Sequence, residues 1–370
     1  MKAVVLGGCA DMAVPLLRLM RGDGDFERVV IADLNQAKAR KIALEHGSKF
    51  EGVHCDAQQP ESVVGLIRGS DVVFGYVGPF YVFEKKLARC AIDAGVPYVS
   101  ISDDYDAYLD VVILDESARA AGVKILTGFG NSPGLTQILA RQGYNEVPSP
   151  YRISVNWCAG SSEDVGPSNL THLFHIFNGT TLQTFDGKEI RVRAGAGKKL
   201  VEFPAPIGFA HVYYTGHAES VSLPRNLPGL REVTLHGGVK PGYIVDLLRA
   251  MSSLRLFATH RRRTRLARFF HRVEGLFASE GLDRSVGRVE VYGSHRGQTQ
   301  MRYFTYVGHI AEITSYPAFL AAKWLLQKRF DDKPGGVYAA EKLLHEPTGF
   351  LAELRAMGIE MYEGRLGPAE

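Results

Sequence analysis

Short apolar runs alternate with amphipathic segments through the first third of the chain. The apolar runs predict strands at Ala3–Leu6, Arg28–Ala32, Phe50–Cys55, Asp71–Tyr76, Tyr98–Ile101 and Lys124–Leu126. The segments between them have the apolar spacing of helices, at Met12–Met20, Asn35–His46, Pro60–Arg68, Val82–Ala94 and Ala107–Ala121. Strands that alternate with helices and are apolar throughout are typical of a parallel sheet covered on both faces. We therefore predict a doubly wound α/β domain.

The pattern changes after Gly134, where strands follow one another without regular helices. These strands are predicted at Arg152–Cys158, Glu189–Val192, Arg231–Gly237, Gly287–Tyr292 and Met301–Val307. They indicate an α+β domain with a largely antiparallel sheet. Two helices follow, at about Ile310–Lys328 and Lys342–Met357. We predict a first domain over residues 1–130, with C-terminal helices of about 310–370 packing back on it, and a substrate and dimerisation domain over 131–309.

Composition and charge narrow the class of protein only moderately. The 370 residues are 45% hydrophobic and 22% charged, which is typical of a globular protein with a sizeable core. The 43 basic and 40 acidic residues give a net charge of +3, which does not call for nucleic acid or a membrane as a partner. Four widely spaced cysteines show no zinc-finger spacing, so we expect no metal site and a reducing compartment.

The N-terminus predicts a buried strand rather than a targeting signal. Its apolar stretch before Cys9 has about four residues, whereas the core of a signal peptide needs roughly 7–15. No segment offers the ~20 apolar residues of a membrane span. We expect a cytoplasmic protein.

The turn between the first strand and the first helix is a candidate dinucleotide site. Backbone N–H groups at such a turn bind a pyrophosphate, ideally within a GxGxxG motif. The best register here is Gly8-x-Ala10-x-x-Ala13, in which alanine replaces two glycines. The candidate cofactor residues are Gly7, Gly8, Ala10, Asp11 and Met12. A tight turn that binds nothing is the alternative, because the Ala10 methyl and the Asp11 charge both oppose a phosphate.

Asp33 favours a Rossmann-type nucleotide site. It ends the second strand about 20 residues after the motif, where an acidic side chain takes the ribose hydroxyls of NAD. Its charge would repel the 2′-phosphate of NADP, although Arg40 could compensate. Leu34 follows Asp33 in the same loop, and Asp56 ends the third strand, where it could border the adenine. Helix capping by Asp33 and a plain turn at Asp56 are the alternatives.

The loop after the fourth strand has the sequence Val77-Gly78-Pro79-Phe80-Tyr81. A Gly-Pro turn at the carboxyl end of a strand is where a nicotinamide ribose would lie. We assign Val77, Gly78 and Pro79 to the cofactor and Tyr81 to the substrate, with a simple loop as the alternative.

Several segments resemble the saccharopine dehydrogenase-like family. They are Val4–Met12, Val77–Tyr81, Gly95–Ser102, Gly128–Leu135 and Tyr213–Arg225, the last with the pattern GHxExxxLPR. The likeness runs from residue 1 to about 360. It implies a Rossmann domain with an α+β domain, usually in a homodimer, and hydride transfer between a nicotinamide cofactor and a C–N bond. The lysine 6-dehydrogenase branch looks nearest. The chain departs from the family in its glycine motif, at Ser100, where an Asp is frequent, and in the strongly basic segment Leu254–Phe270.

Acidic and amide side chains follow the fifth and sixth predicted strands. Asp103 and Asp104 are candidate catalytic residues, because a carboxylate there could hold a cationic amine or iminium. Two solvated acids in a turn are the alternative. Asn131 opens an Asn-Ser-Pro-Gly turn, and the resemblance to homospermidine enzymes implies that it faces the substrate. A purely structural turn is the alternative.

The second domain supplies histidines and one arginine. His172 and His175 would share one face of a helix as substrate-binding residues, or form a core pair. His217, Glu219 and Arg225 match the family segment, which implies a catalytic role for His217 and substrate contacts for Glu219 and Arg225. The Arg225 guanidinium suits a substrate carboxylate, unless it lies on the surface.

Leu254–Phe270 interleaves apolar residues with arginines, including Arg261, Arg262, Arg263 and Arg265. Such a segment can contact an anionic membrane or nucleic acid, or form a solvated face or a subunit contact. For the whole chain we expect an NAD-dependent oxidoreductase acting on a C–N bond of an amino-acid-like substrate, in a homodimer. The alternatives are NAD retained as a prosthetic group, as the homospermidine relatives imply, and a non-catalytic scaffold that uses residues 254–270.

Overall fold

The computed structural model describes residues 1–163, 166–273 and 282–366. The chain divides into two compact units. The first comprises Met1–Leu135 and Ala311–Leu343, and the second comprises Thr136–Ile310 and Leu344–Glu370. In the described residues, no helix is both long and apolar enough to cross a bilayer.

Strands and helices alternate through the first 126 residues. They are β1 (Lys2–Leu6), α1 (Ala13–Gly22), β2 (Arg28–Asp33), α2 (Gln36–His46), β3 (Phe50–His54), α3 (Pro60–Ile67), β4 (Val72–Gly75), α4 (Phe80–Ala94), β5 (Tyr98–Ser100), α5 (Tyr105–Val112), α6 (Asp115–Ala120) and β6 (Lys124–Leu126). The single helix predicted over Ala107–Ala121 is therefore two shorter helices.

The rest of the chain mixes helices with strands of the second sheet. The elements are α7 (Leu135–Glu146), β7 (Pro150–Gly160), α8 (Pro167–Ile176), β8 (Thr180–Phe185), β9 (Lys188–Arg193), β10 (Lys199–Glu202), β11 (Phe209–Tyr214), α9 (Glu219–Asn226), β12 (Glu232–Lys240), α10 (Tyr243–Ser253), α11 (His260–Val273), β13 (Ser285–His295), β14 (Gln298–Gly308), α12 (Ile310–Leu326), β15 (Gly336–Tyr338), α13 (Ala340–Leu343), α14 (Thr348–Ala356) and β16 (Glu360–Leu366).

The first unit contains a parallel sheet with the strand order β15-β6-β5-β4-β1-β2-β3. The doubly wound fold class predicted from the sequence is confirmed. Since β1 lies between β2 and β4, the strand order reverses there, and the turns after these strands meet at one edge. Valine and leucine side chains of β1 are fully buried because helices cover both faces.

Local sequence explains where several elements of the first unit begin and end. The Asn35 side chain accepts a hydrogen bond from the N–H of Lys38 and so caps α2. Helix α4 ends at Gly95, whose φ of +72° is the left-handed conformation that glycine adopts readily. On α1 the buried residues Ala13, Leu16, Leu17 and Met20 recur at helical spacing.

The second unit is built on a mixed sheet with the order β10-β11-β12-β7-β13-β14-β16, and β8 pairs with both β12 and β9. Most of its pairs are antiparallel, as predicted, but β12 runs parallel to β7. Residues alternate between the two faces of β7. Ile153 and Val155 are buried among apolar groups, whereas Ser154 and Asn156 lie on the opposite face. There Lys199 donates to the Ser154 hydroxyl and pairs with Glu290 at 3.2 Å.

Two segments near the C-terminus belong to different units. Helix α12 and strand β15 lie in the first unit, where β15 pairs with β6 as an edge strand. Helix α14 and strand β16 lie in the second unit, where β16 pairs with β14.

Candidate functional site

The turn after β1 requires glycine at Gly7. Its φ is +76°, and a Cβ there would lie 2.7 Å from the carbonyl carbon of Tyr76. The Gly7 N–H donates to the Ala32 carbonyl at 2.8 Å. Gly7, directly before the motif, therefore holds the turn close to both β2 and β4.

The start of α1 leaves backbone donors for an anion. The N–H groups of Ala13 and Val14 already donate to the carbonyls of Ala10 and Asp11, and Pro15 has no N–H. In the described part of the chain, the N–H groups of Asp11 and Met12 donate to no backbone acceptor. The degenerate motif thus retains two N–H groups at a helix N-terminus, where a phosphate is favoured.

Asp33 is held against this turn. One carboxylate oxygen accepts from the Cys9 N–H at 3.2 Å, and the other accepts from the Asn35 N–H at 2.9 Å. Lys38 donates to the Cys9 carbonyl at 2.9 Å, which fixes the same turn from the other side. The half-buried Asp33 carboxylate retains further lone pairs for the two hydroxyls of a ribose. Leu34 beside it is exposed.

The Cys9 thiol in this turn is a very weak acid. Burial raises its pKa to about 12, and the neighbouring Asp33 charge acts in the same direction. A protonated thiol is a poor nucleophile, so the first turn is suited to binding rather than to covalent chemistry.

The turns after β3, β4 and β5 hold the other predicted residues of the first unit. The Asp56 carboxylate accepts from the Gln58 N–H at 2.9 Å and makes a local turn. The loop that leads into α4 contains Val77, Gly78 and Pro79. At the start of α4, the Tyr81 N–H donates to the buried Asp104 carboxylate at 3.3 Å. The structure therefore brings the Tyr81 and Asp104 loops together. Asp103 precedes Asp104, and Asn131 lies half-buried in the turn before α7.

A buried carboxyl in the first unit was missed by the sequence reasoning. Glu84 on α4 is only 1% exposed. It accepts hydrogen bonds from the hydroxyls of Tyr98 at 3.0 Å, Ser100 at 2.5 Å and Thr127 at 2.8 Å. Burial raises the pKa of Glu84, and these hydrogen bonds oppose that rise. The carboxyl thereby ties α4, and the Val77–Pro79 loop before it, to β5 and β6.

Helical spacing contains a signal for this carboxyl. Glu84 precedes Leu87, Ala88 and Ala91 at intervals of three, four and seven residues, so it lies on their apolar face. Ser100, which departs from the resembling family, is one of its three donors.

The second unit brings two of the predicted histidines together. The Nε2 atoms of His172 on α8 and His217 before α9 are 3.0 Å apart. One imidazole must donate and the other accept, so the hydrogen bond contains one proton between the two rings. The Trp157 ring stacks on His217 at 5.3 Å with an interplanar angle of 8°. His175 lies one turn along α8, half-buried. The pair can exchange a proton, which suits acid–base chemistry.

Glu219 fixes the segment that contains His217. Its side chain is fully buried, and one carboxylate oxygen accepts from the Thr136 hydroxyl at 2.7 Å. The Gln137 amide donates to the Ser222 hydroxyl one turn further along α9.

Arg225 lies at the last turn of α9, where its guanidinium pairs with Glu189 at 2.7 Å. Hence Glu219 lies in the interior with α7, whereas Arg225 lies at the surface of the unit.

Comparisons with known proteins agree with this description of the fold. Residues 3–126 match the family model described as the saccharopine dehydrogenase NADP binding domain. The solved structure of apo saccharopine dehydrogenase (L-Glu forming) from Saccharomyces cerevisiae matches with a TM-score of 0.72 at 16% identity, over 99% of each chain. Homospermidine synthase from Legionella pneumophila, in complex with NAD, matches with a TM-score of 0.62 at 12% identity, over 98% of this chain and 91% of that one.

The match over residues 3–126 confirms the resemblance to the saccharopine dehydrogenase-like family that the motifs predicted, and the two solved structures share the fold. Residues 3–126 of the first unit therefore match a pyridine-nucleotide-binding domain.

Proposed function

We propose that the protein is an NAD(H)-dependent oxidoreductase that transfers a hydride between the nicotinamide and a C–N bond of an amino-acid-like substrate. The observation that supports it best is the Asp33 carboxylate, which two backbone N–H groups hold against the first turn. A fixed anion at the end of β2 selects a ribose with free hydroxyls over one with a 2′-phosphate. Lys38, which donates to the same turn, has its ammonium engaged by the Cys9 carbonyl.

In this proposal the first unit binds the dinucleotide. The N–H groups of Asp11 and Met12 contact the pyrophosphate, Asp33 contacts the ribose, and Val77, Gly78 and Pro79 border the nicotinamide. When bound, NAD supplies the hydride acceptor for amine oxidation. Asp56 lies at the end of β3, on the adenine side of the site.

The second unit supplies the proton chemistry in this proposal. Oxidation of an amine requires a base that takes the ammonium proton, and the His172–His217 pair offers one imidazole lone pair and one N–H. Asp103 and Asp104 stabilise the cationic amine or iminium. The substrate contacts are assigned to Tyr81, Asn131 and His175. Glu219 positions the segment that contains His217, and Arg225 pairs with Glu189.

Replacing Asp33 tests the cofactor assignment. Hydrogen bonds to a charged group contribute about 1.5–3 kcal/mol, so Asp33→Asn should weaken NAD binding about 10–100-fold. It should also reduce the ratio of the affinity for NAD to the affinity for NADP. Calorimetric titration of the purified protein with NAD, NADH and NADP measures both effects. Asp93→Asn is the control and should leave NAD binding unchanged, because that exposed carboxylate on α4 pairs with Arg89. Tighter binding of NADP than of NAD by the unmodified protein would overturn the NAD assignment.

Replacing the histidines tests the reaction. We expect His217→Asn and His172→Asn to lower kcat about 10²–10⁴-fold with amine or amino-acid substrates while leaving NAD affinity unchanged. His295→Asn, at an exposed position on β13, should leave kcat unchanged. If a broad panel of amines, amino acids and imines gives no NAD-linked turnover with the unmodified protein, the proposed reaction is wrong even where NAD binds.

A second candidate follows from the fold shared with the NAD complex of homospermidine synthase. In this candidate reaction, NAD remains bound to the protein and returns its hydride to the substrate within one turnover. Retention of NAD through gel filtration, together with product formation and no net release of NADH, would favour this candidate over the first.

A further inference from the structure

Helix α11 presents a row of arginines that no function described above uses. Arg261, Arg265, Arg268 and Arg272 recur at intervals of four, three and four residues, so they lie on one side of the helix. All four side chains are exposed. We call these four residues the arginine row.

The opposite side of α11 is packed, which fixes the direction in which the row points. Arg263 and Ala267 are buried, and Arg263 donates to the Phe257 carbonyl at 2.9 Å. The Phe270 ring meets Phe174 of α8 edge-on at 5.9 Å. The helix therefore has a defined outer side rather than a rotationally free one.

Among the described residues, no acidic side chain pairs with the arginine row. Helix α11 contains no acidic residue, and across residues 1–163, 166–273 and 282–366 none of the four arginines forms an ion pair. Arginines elsewhere in the unit differ, since Arg302 pairs with Glu146 at 2.6 Å. Four adjacent cations repel one another, so an anionic partner would be favoured there.

Exposed apolar side chains accompany the row. Phe269 on α11 is 58% exposed, and Leu254 and Leu256 in the preceding turn are 73% and 38% exposed. Arg262 donates to the Arg255 carbonyl at 3.3 Å, which holds that turn beside the helix. Large apolar groups among arginines are unfavourable in water and suit a partner that is anionic at its surface and apolar beneath it.

We propose that the arginine row, with Phe269 and Leu254, binds the surface of a lipid bilayer that contains anionic lipids. The guanidinium groups bind headgroup phosphates, and the two apolar side chains enter the boundary between headgroups and acyl chains. A nucleic acid would satisfy the arginines but would leave Phe269 and Leu254 without an apolar environment. The same chemistry explains why the helix combines exposed arginines with exposed apolar groups.

Co-sedimentation with vesicles tests the proposal on the full-length protein. Phosphatidylcholine vesicles with one third phosphatidylglycerol should bind the protein at about 0.1 M salt and release most of it at about 1 M, where the Debye length is near 3 Å. Pure phosphatidylcholine vesicles should bind it far less. The triple variant Arg261→Ser, Arg265→Ser, Arg268→Ser should lower the partition coefficient about 100-fold, since each cation near the surface contributes about a factor of five. Phe269→Ser should lower it about tenfold.

Two further triple variants separate charge from folding. Arg261→Lys, Arg265→Lys, Arg268→Lys keeps the charge and should retain binding. Arg68→Ser, Arg191→Ser, Arg355→Ser removes the same charge at exposed positions elsewhere and should also retain it. Circular dichroism and NAD titration establish that each variant is folded. The proposal would be overturned if the protein bound neutral vesicles as well as anionic ones. It would also be overturned if the control triple lost as much binding as the α11 triple, or if the protein bound duplex DNA but not anionic vesicles.

Discussion

In the first unit the candidate cofactor residues lie in turns that directly follow strands, whereas in the second unit the histidine pair joins elements 45 residues apart in sequence. The first arrangement arises because parallel strands end at one edge and present their turns together. The second depends on how α8 and the loop before α9 pack on a mixed sheet. Backbone geometry therefore governs the first site, and side-chain packing governs the second.

The largest effect should come from Gly7→Ala, which attacks the backbone geometry. The φ of +76° and the 2.7 Å approach to the Tyr76 carbonyl leave no space for a methyl group. We expect a loss of about 3 kcal/mol in the unfolding free energy of the first unit, together with loss of NAD binding. Urea unfolding measures the first effect. Gly65→Ala is the control, because nothing lies near that helical glycine, and it should gain up to about 1 kcal/mol. Similar destabilisation in both variants would contradict this interpretation.

A medium effect should come from a buried carboxyl of the second unit. Burial raises the pKa of Glu163 from 4.5 to about 7. The Ser285 hydroxyl, the Ile310 N–H and the Arg284 guanidinium oppose this rise, and His309 also faces the carboxyl group. The folded state then binds more protons than the unfolded state between pH 4.5 and 7, so stability falls as the pH rises through this window.

Glu163→Gln should remove that pH dependence, which we expect to amount to about 2 kcal/mol after solvent screening. Urea unfolding at pH 5 and pH 7 measures it. Glu202→Gln, at an exposed position in the same unit, should keep the slope of the unmodified protein. An unchanged slope in Glu163→Gln would show that other groups cause it.

The smallest effect should come from Arg225→Ala. The ion pair with Glu189 is partly exposed, so its loss should change the unfolding free energy by less than about 1 kcal/mol. Glu189→Gln should have an effect of the same size. A loss of several kcal/mol in either variant would mean that packing, rather than surface charge, determines the stability of α9.

The sequence predicted much of the first unit because its signals are contiguous. Asp33 ends a run of buried residues in β2, and the turn at Gly7 follows directly from β1, so strand and functional turn are read together. Glu84 was overlooked because two of its donors lie in β5 and the third, Thr127, directly follows β6. Only the pairing of these strands brings the donors together.

Less of the second unit was predictable, for physical reasons. Strand β9 is almost wholly exposed, and β11 mixes exposed with buried residues. The parallel pairing of β12 with β7 requires a crossover that no local pattern indicates. The contact between His172 and His217 was not predicted either, because the helical spacing placed His172 next to His175 instead.

The Glu84 carboxyl has a consequence for the evolution of this unit. Because Tyr98, Ser100 and Thr127 all donate to one buried group, a change at any one of them alters the cost of changes at the others. The four positions should therefore behave as one epistatic unit, in which a substitution harmful by itself becomes tolerable after its partners have changed. Gly75 on the neighbouring strand β4 belongs to the same epistatic group, because a Cβ there would lie 2.0 Å from the Tyr98 hydroxyl.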